Sequence, residues 1–113
     1  MKVLIIGSGG REHALSWKCI QSSMVSKVYV APGNAGTQIE DNIQNVAINP
    51  ENFAELSNFA QDNEIELTIV GPEQPLVDGI CYYFESKHLK IFGPTKGAAQ
   101  LEGSKSFTKD YLK

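Results

Sequence analysis

The residues most suggestive of chemistry are GSGGREHAL, residues 7–15, which directly follow the apolar run Val3–Ile6. A buried strand, a glycine-rich turn and a helix start leave backbone N–H groups and the positive end of the helix facing one point. That arrangement favours an anion, and phosphate is the usual one. Three glycines and an arginine exceed what a tight turn alone needs, so the stretch predicts a ligand-binding loop.

The same loop departs from the dinucleotide-binding fingerprint. Gly7 and Gly9 match the pattern G-x-G-x-x-G, whereas Glu12 stands at the position of the third glycine. The acidic residue that holds a ribose is expected at the end of the second strand, where the sequence has Ala31-Pro32. A nicotinamide or flavin cofactor is therefore disfavoured. A stand-alone nucleotide- or dinucleotide-binding module stays open as an alternative.

Two further loops carry polar side chains among glycine and proline residues. Residues 31–37, APGNAGT, offer Asn34 and Thr37 in a loop of small residues that suits closure over a ligand. Residues 70–76, VGPEQPL, place Glu73 after an apolar run. Glu73 either begins a helix, where an acid favours the helix dipole, or accepts a hydrogen bond from an amine or sugar hydroxyl of the ligand.

No pair of side chains has the pattern of a nucleophile and its base. Ser8 and Ser104 have no evident histidine partner, and His13 is interpreted as a structural hydrogen-bonding residue. The two cysteines, Cys19 and Cys81, form no metal-ligand spacing with the two histidines. The sequence therefore predicts neither a catalytic residue nor a metal site.

These residues belong to a chain of 113 amino acids, which is long enough for one domain with a hydrophobic core. The net charge of −3 argues against a nucleic-acid partner or an anionic membrane surface. No apolar stretch approaches the roughly 20 residues that span a bilayer. Two cysteines outside any disulfide-like pattern favour a reducing compartment, and we expect a cytoplasmic protein.

Apolar runs alternate with helical patterns along the chain, which predicts a parallel α/β sheet with right-handed crossover helices. The predicted strands cover residues 2–6, 27–31, 45–48, 66–70 and 89–92. The predicted helices cover residues 11–21, a segment from Pro50 capped by Asn49, residues 75–87 and residues 95–113, with no regular element over 32–44. Loops at the carboxyl ends of parallel strands line the ligand crevice, so residues 7–11, 32–37, 71–74 and 93–96 are expected to meet there.

Four segments, taken together, resemble a known family. KVLIIGSGGREHAL, APGNAGT, VGPEQPLVDGI and IFGPTKGAAQLEGSKSFTK are similar, in order and spacing, to the amino-terminal domain of the phosphoribosylamine–glycine ligase family. That family belongs to the ATP-grasp class and acts in de novo purine synthesis. The resemblance implies a single Rossmann-like (pre-ATP-grasp) domain over residues 1–103 and the start of an ATP-grasp portion over residues 104–113.

The same class contains an alternative, the corresponding domain of a purine-pathway carboxylase or formyltransferase. Gly10-Arg11-Glu12-His13, combined with the APGNAGT loop, favours the glycine ligase family over those enzymes.

For the complete enzyme of the family, the resemblance implies a ligase reaction that depends on ATP and Mg, or Mn. Glycine is activated as an acyl phosphate, and the amine of 5-phosphoribosylamine attacks it to give glycinamide ribonucleotide. The implied partners are these two small molecules and the ATP-grasp portion of the same polypeptide. The 113-residue chain alone is expected to hold no cofactor and to be inactive.

The resemblance also implies roles for individual residues. The predicted substrate-binding residues are Gly9, Gly10, Arg11, Asn34, Thr37 and Glu73. Of these, Glu73 is carried over by likeness to related ATP-grasp enzymes, whereas Asn34 and Thr37 rest on their own polar character in the loop. Lys105 matches the lysine that approaches the ATP phosphates in this class.

Overall fold

The structure, a computed structural model, describes residues 1–38 and 42–93. Its strands are β1 (Lys2–Gly7), β2 (Lys27–Pro32), β3 (Ile43–Asn45), β4 (Leu67–Val70) and β5 (Ile91–Phe92). Its helices are α1 (Gly10–Ile20), α2 (Ala35–Gln38), α3 (Phe53–Asp62), α4 (Glu73–Val77) and α5 (Ile80–Ser86). The strands pair in parallel in the order β3-β2-β1-β4-β5, which confirms the predicted α/β class.

The central strand β1 is buried on both faces, as its continuous apolar run predicts. Val3 and Ile5 pack in one core cluster with Cys19 of α1. Leu4 and Ile6 belong to a second cluster, which includes residues of α3 and α5. Because successive side chains of a strand point to opposite faces, both faces of β1 need apolar residues. The sheet is therefore covered by α1 on one face and by α3 and α5 on the other.

The order of the strands reverses between β1 and β4. From β1 the chain proceeds to β2 and β3 on one side of the sheet, and then crosses to β4 and β5 on the other side. In open parallel sheets this reversal opens a crevice at the carboxyl ends of the two central strands. Gly7 ends β1 and Gly71 follows β4, so these two glycines mark the crevice.

The single helix predicted over residues 75–87 is two helices, α4 and α5. Gly79, between them, has a φ of 90°, which lies in the left-handed region and cannot continue a right-handed helix. Ile80 and Phe84 are buried and Leu76 packs against their cluster, as predicted. The apolar spacing therefore continues across Gly79, so the sequence pattern does not reveal that the helix is interrupted there.

Helix α3 begins later than the predicted Pro50. Its N-cap is Asn52, whose Oδ1 accepts the backbone N–H of Glu55 at 3.1 Å. The predicted cap, Asn49, instead accepts the N–H of Glu51 at 2.8 Å and closes a turn before the helix. Since both asparagines have the same capping chemistry, local sequence does not decide which of them starts the helix.

The segment between β2 and α3 also differs from the prediction. Helix α2 lies within residues 32–44, where no regular element is predicted, and β3 begins at Ile43 and shares only Asn45 with the predicted strand at 45–48. Ile43 is in register with Val28 and is buried in the same cluster. Ile48 is buried in the cluster on the opposite face, so its apolar character reflects packing outside the sheet. β4 and β5 begin at Leu67 and Ile91, close to the predicted positions.

Part of the predicted organisation lies outside the described residues. This holds for the helical segment over 95–113, for Lys105, and for the loop over 93–96 apart from Gly93. Within residues 1–38 and 42–93, no helix has the length and apolar character that a membrane crossing requires.

The buried thiol of Cys19 provides a test of how α1 packs on the sheet. Burial raises the pKa of Cys19 from 9.0 to about 11, and the charge of Lys18 offsets this only in part. The thiolate is the reactive form, so we expect native Cys19 to react with iodoacetamide at pH 8 about 100-fold more slowly than in the unfolded chain. Peptide mapping by mass spectrometry measures both rates, with the chain in urea as the control. Equal rates would contradict the burial of the Cys19 thiol between α1 and the sheet.

Candidate functional site

Three of the predicted loops meet at the carboxyl edge of the sheet. The backbone N–H of Gly33, after β2, donates to the carbonyl of Gly7 at 3.0 Å. The N–H of Gly71, after β4, donates to the carbonyl of Ile6 at 2.9 Å. These bonds place the ends of β2, β1 and β4 side by side, and they confirm the predicted convergence for the loops that the structure describes.

A pocket of about 430 Å³ lies at this edge. Its walls come from the loop after β1, the turn before α3 and the start of α4 and are formed by Gly7–Gly9, Glu12, Asn49–Glu51, Pro72, Gln74 and Pro75. Two of these residues, Glu12 and Glu51, are acidic, and the described lining includes no lysine, arginine or histidine. The charged side chains of the described lining are therefore both hydrogen-bond acceptors, whereas Ser8, Asn49 and Gln74 can also donate.

The carboxylate of Glu12 is buried at the carboxyl edge, with only 6% of the residue exposed. Its Oε2 accepts the backbone N–H of Gly9 at 3.0 Å. A Cβ atom added to Gly7 or to Gly71 would overlap Oε1 of Glu12. Both glycines are therefore needed for the carboxylate to fit between the ends of β1 and β4.

In the sequence, Glu12 is a departure from the dinucleotide fingerprint and a part of the motif Gly10-Arg11-Glu12-His13, and neither feature identifies it as a residue that lines the pocket. One local signal does exist. Glu12 follows the N-cap Gly9 by three residues, which is the spacing of a capping box. That spacing predicts the bond to Gly9, but it does not predict burial against Gly71, which is distant in the chain.

Asn34 joins the loop after β2 to the loop after β1. Its Nδ2 donates to the carbonyl of Ser8 at 2.8 Å and to that of Gly9 at 3.2 Å. Its Oδ1 accepts the N–H of Thr37 at 3.0 Å. The side-chain amide of Asn34 thus holds the loop after β2 against the loop after β1, which lines the pocket.

Thr37 is fully buried, although it is one of the predicted substrate-binding residues. Its hydroxyl accepts the N–H of Asn34 at 2.8 Å and donates to Oδ1 of Asn45. Asn45, which the sequence analysis does not single out, donates in turn to the carbonyl of Asn34 at 2.8 Å. Thr37 and Asn45 thus form a hydrogen-bond network with Asn34 that holds the loop after β2 in shape from its buried side.

Arg11 and Glu73 are exposed and are not among the residues that line the pocket. Nη1 of Arg11 donates to the carbonyl of Gly71 at 3.1 Å and ties α1 to the end of β4. Glu73 is the first residue of α4, where an acid favours the helix dipole, and the adjacent Gln74 lines the pocket. Gly10, the first residue of α1, is exposed, and no atom lies within 4 Å of an added Cβ.

The chemistry of the pocket does not fit the phosphates of ATP, because its two carboxylates would repel them. Across residues 1–38 and 42–93, no group of three histidine, cysteine, aspartate or glutamate side chains could hold a metal ion. The predicted ATP contact, Lys105, lies outside the described residues.

Comparison with known proteins gives a consistent result. Residues 1–102 match the family model described as "Phosphoribosylglycinamide synthetase, N domain". Proteins named phosphoribosylamine–glycine ligase from Escherichia coli and Vibrio cholerae are each 63% identical to the chain over 112 residues. The protein of that name from Pseudomonas putida is 64% identical over 112 residues. Each alignment covers 99% of this chain and 26% of the relative, so the chain spans about a quarter of the length of these relatives.

Proposed function

Because the chain belongs to the phosphoribosylglycinamide synthetase N-domain family, we propose that it forms part of the substrate site of a phosphoribosylamine–glycine ligase. In the proposed reaction, the carboxylate of glycine takes the γ-phosphoryl group of ATP and ADP leaves. The amine of 5-phosphoribosylamine then attacks the acyl carbon. A C–N bond forms, the C–O bond to phosphate breaks and the amine loses a proton, giving glycinamide ribonucleotide and phosphate.

One observation carries this proposal: the loops after β1 and β4 border a pocket at the point where the strand order reverses. Open parallel sheets bind their ligands at that point. Gly9 lines the pocket and Gly10 is exposed beside it, so the backbone can come close to a ligand. We assign both glycines to binding of 5-phosphoribosylamine.

The other predicted residues take supporting roles in this proposal. Arg11 contributes a cation next to the pocket, oriented by its bond to the carbonyl of Gly71. Asn34 holds the loop after β1 in place, and Thr37 fixes Asn34 from the buried side. Glu73 precedes the lining residue Gln74 and is assigned to the ribose hydroxyls of the ligand.

We further propose that ATP and Mg²⁺ are held mainly by the ATP-grasp portion of the complete enzyme, with Lys105 contributing from this chain. The acidic lining of the described pocket supports this separation, since it suits a hydrogen-bond donor better than a triphosphate. Positioning the reactants against each other supplies much of the rate of such a reaction. Turnover therefore needs both portions.

Titration of the ¹⁵N-labelled chain tests the proposed site. Glycinamide ribonucleotide, the proposed product, should shift the amide resonances of Gly9, Gly10 and Arg11, whereas NAD should leave them unchanged. The variant Arg11→Ala should bind about tenfold more weakly, because the proposed hydrogen bond from the charged Arg11 guanidinium to the ligand is lost.

The matched control is Lys90→Ala, which removes an exposed cation at the amino-terminal end of β5, at the opposite edge of the sheet. It should bind like the original chain. If NAD shifts the loop amides and glycinamide ribonucleotide does not, the chain is a dinucleotide-binding module and the proposal fails.

A further inference from the structure

Glu12 occupies the crevice in which this type of sheet binds its ligand. The crevice lies where the strand order reverses, between the ends of β1 and β4. Gly7 and Gly71 mark those two ends, and the Glu12 carboxylate packs against both. A capping interaction alone would leave the side chain at the surface, whereas 94% of Glu12 is buried, with 6% exposed.

The Glu12 carboxylate lies where related folds hold a bound anion. In related folds, the free N–H groups at the start of the first helix face a phosphate. Here the N–H of Gly9, the N-cap of α1, donates to Oε2 of Glu12 instead. The carboxylate therefore takes one of the donors that a phosphate would use, and it adds a negative charge at the same place.

The second oxygen of Glu12, Oε1, lies between Gly7 and Gly71. Glu12 lines the pocket, and none of the hydrogen bonds among the described residues ends on its Oε1. The other charged residue of the described lining is Glu51, which is exposed. Arg11 lies outside the lining, and its Nη1 is bonded to Gly71. The pocket thus presents a buried acceptor with no cation beside it in the lining.

We propose that Glu12 is a specificity-determining residue that occupies the anion position at the start of α1, so that the pocket accepts hydrogen-bond donors and rejects phosphate. In 5-phosphoribosylamine the donors are the amine and the ribose hydroxyls, so this part of the molecule enters the pocket and the phosphate group stays outside. The orientation of the ligand rests on the proposed function, whereas the rejection of phosphate does not.

Inorganic phosphate is the first probe, because it requires no assumption about the natural ligand. In the original chain, phosphate at pH 7 should not shift the amide resonances of residues 8–11. Glu12→Gln keeps the size of the side chain, removes its charge and presents a donor to the pocket. Because like charges about 4 Å apart repel strongly, phosphate should bind this variant at least about tenfold more tightly than the original chain.

Two variants separate charge from other causes. Glu12→Asp keeps the charge and alters the fit, so it should gain no phosphate binding. Glu51→Gln makes the same charge change at an exposed position of the pocket, where solvent and salt screen the charge, and affinity should change by less than about twofold. Unchanged resonances of the β5 residues serve as the check that each variant is folded.

The proposal is overturned if phosphate shifts residues 8–11 in the original chain, or if folded Glu12→Gln gains no affinity. It is also overturned if Glu12→Asp or Glu51→Gln gains as much as Glu12→Gln. Should Glu12→Gln not fold, the original chain and Glu51→Gln still decide, since phosphate binding at the loop of either one contradicts the proposal.

A second pair of probes tests the orientation of the ligand. Glycinamide ribonucleotide and its dephosphorylated ribonucleoside should shift the amides of residues 8–11 in the same direction and by similar amounts. If only the phosphorylated compound shifts them, the phosphate lies on the loop and the proposed orientation is wrong. If neither compound binds while the phosphate results hold, the proposed function fails and the role of Glu12 in rejecting anions stands.

Discussion

Replacing Gly7 with alanine is expected to lower the free energy of unfolding by about 3 kcal/mol or more. Gly7 has a φ of 138°, a conformation that residues with a Cβ atom rarely adopt. An added methyl group would also overlap the carboxylate of Glu12. Glu12 cannot turn away freely, because Gly71 borders it on the other side and its bond to Gly9 would be lost. Urea denaturation followed by circular dichroism gives the measurement.

Gly10→Ala is the matched control for this prediction. Gly10 lies in the same loop and begins α1, but no atom lies within 4 Å of an added Cβ. Its stability should change by no more than about 0.5 kcal/mol. In a Glu12→Ala background the overlap is absent, and Gly7→Ala should cost about 1–3 kcal/mol less than in the original chain. An equal cost in both backgrounds would show that Glu12 does not press on Gly7.

Thr37→Val is expected to lower the free energy of unfolding by about 2 kcal/mol or more. Valine has nearly the same shape as threonine but has no hydroxyl. It leaves the N–H of Asn34 without its acceptor and Oδ1 of Asn45 without its donor, in a site where Thr37 itself is fully buried. Asn34 should then hold the loop after β1 less firmly. The readouts are urea denaturation and hydrogen exchange of the backbone amide at position 37, which should accelerate.

Thr37→Ser separates the hydroxyl from the methyl group. Serine keeps both hydrogen bonds and loses one methyl, so its cost should stay near 1 kcal/mol. A valine variant at least as stable as the serine variant would show that the methyl group, and not the hydrogen-bond network, holds this loop.

Many features of this protein could be predicted from the sequence because they depend on local patterns. Buried strands require uninterrupted apolar runs, and Val3–Ile6 is such a run. Loops at the strand ends require residues that allow close backbone approach, and glycine and proline mark the loops that converge on the pocket. The parallel sheet follows from the alternation of these patterns. The family follows from four segments in a fixed order.

Other features could not be predicted because short-range patterns are ambiguous. Asn49 and Asn52 can each cap a helix, and only the completed turn shows which one does so. The spacing of Leu76, Ile80 and Phe84 continues through Gly79, although the helix does not. In both cases the backbone conformation of the turn, and not the residue types alone, settles where the helix begins or stops.

The candidate site likewise has features that the sequence predicts and features that it does not. By itself, the sequence determined that a glycine-rich loop with Arg11 and the loop with Asn34 would face the same crevice, since both follow strands of one parallel sheet. Only the tertiary structure decided that Glu12 would be buried there and that Thr37 would support the loop from behind. The physical reason is that burial of a polar side chain depends on the segments around it. For Glu12 these are the ends of β1 and β4, which become neighbours only through the order of the strands.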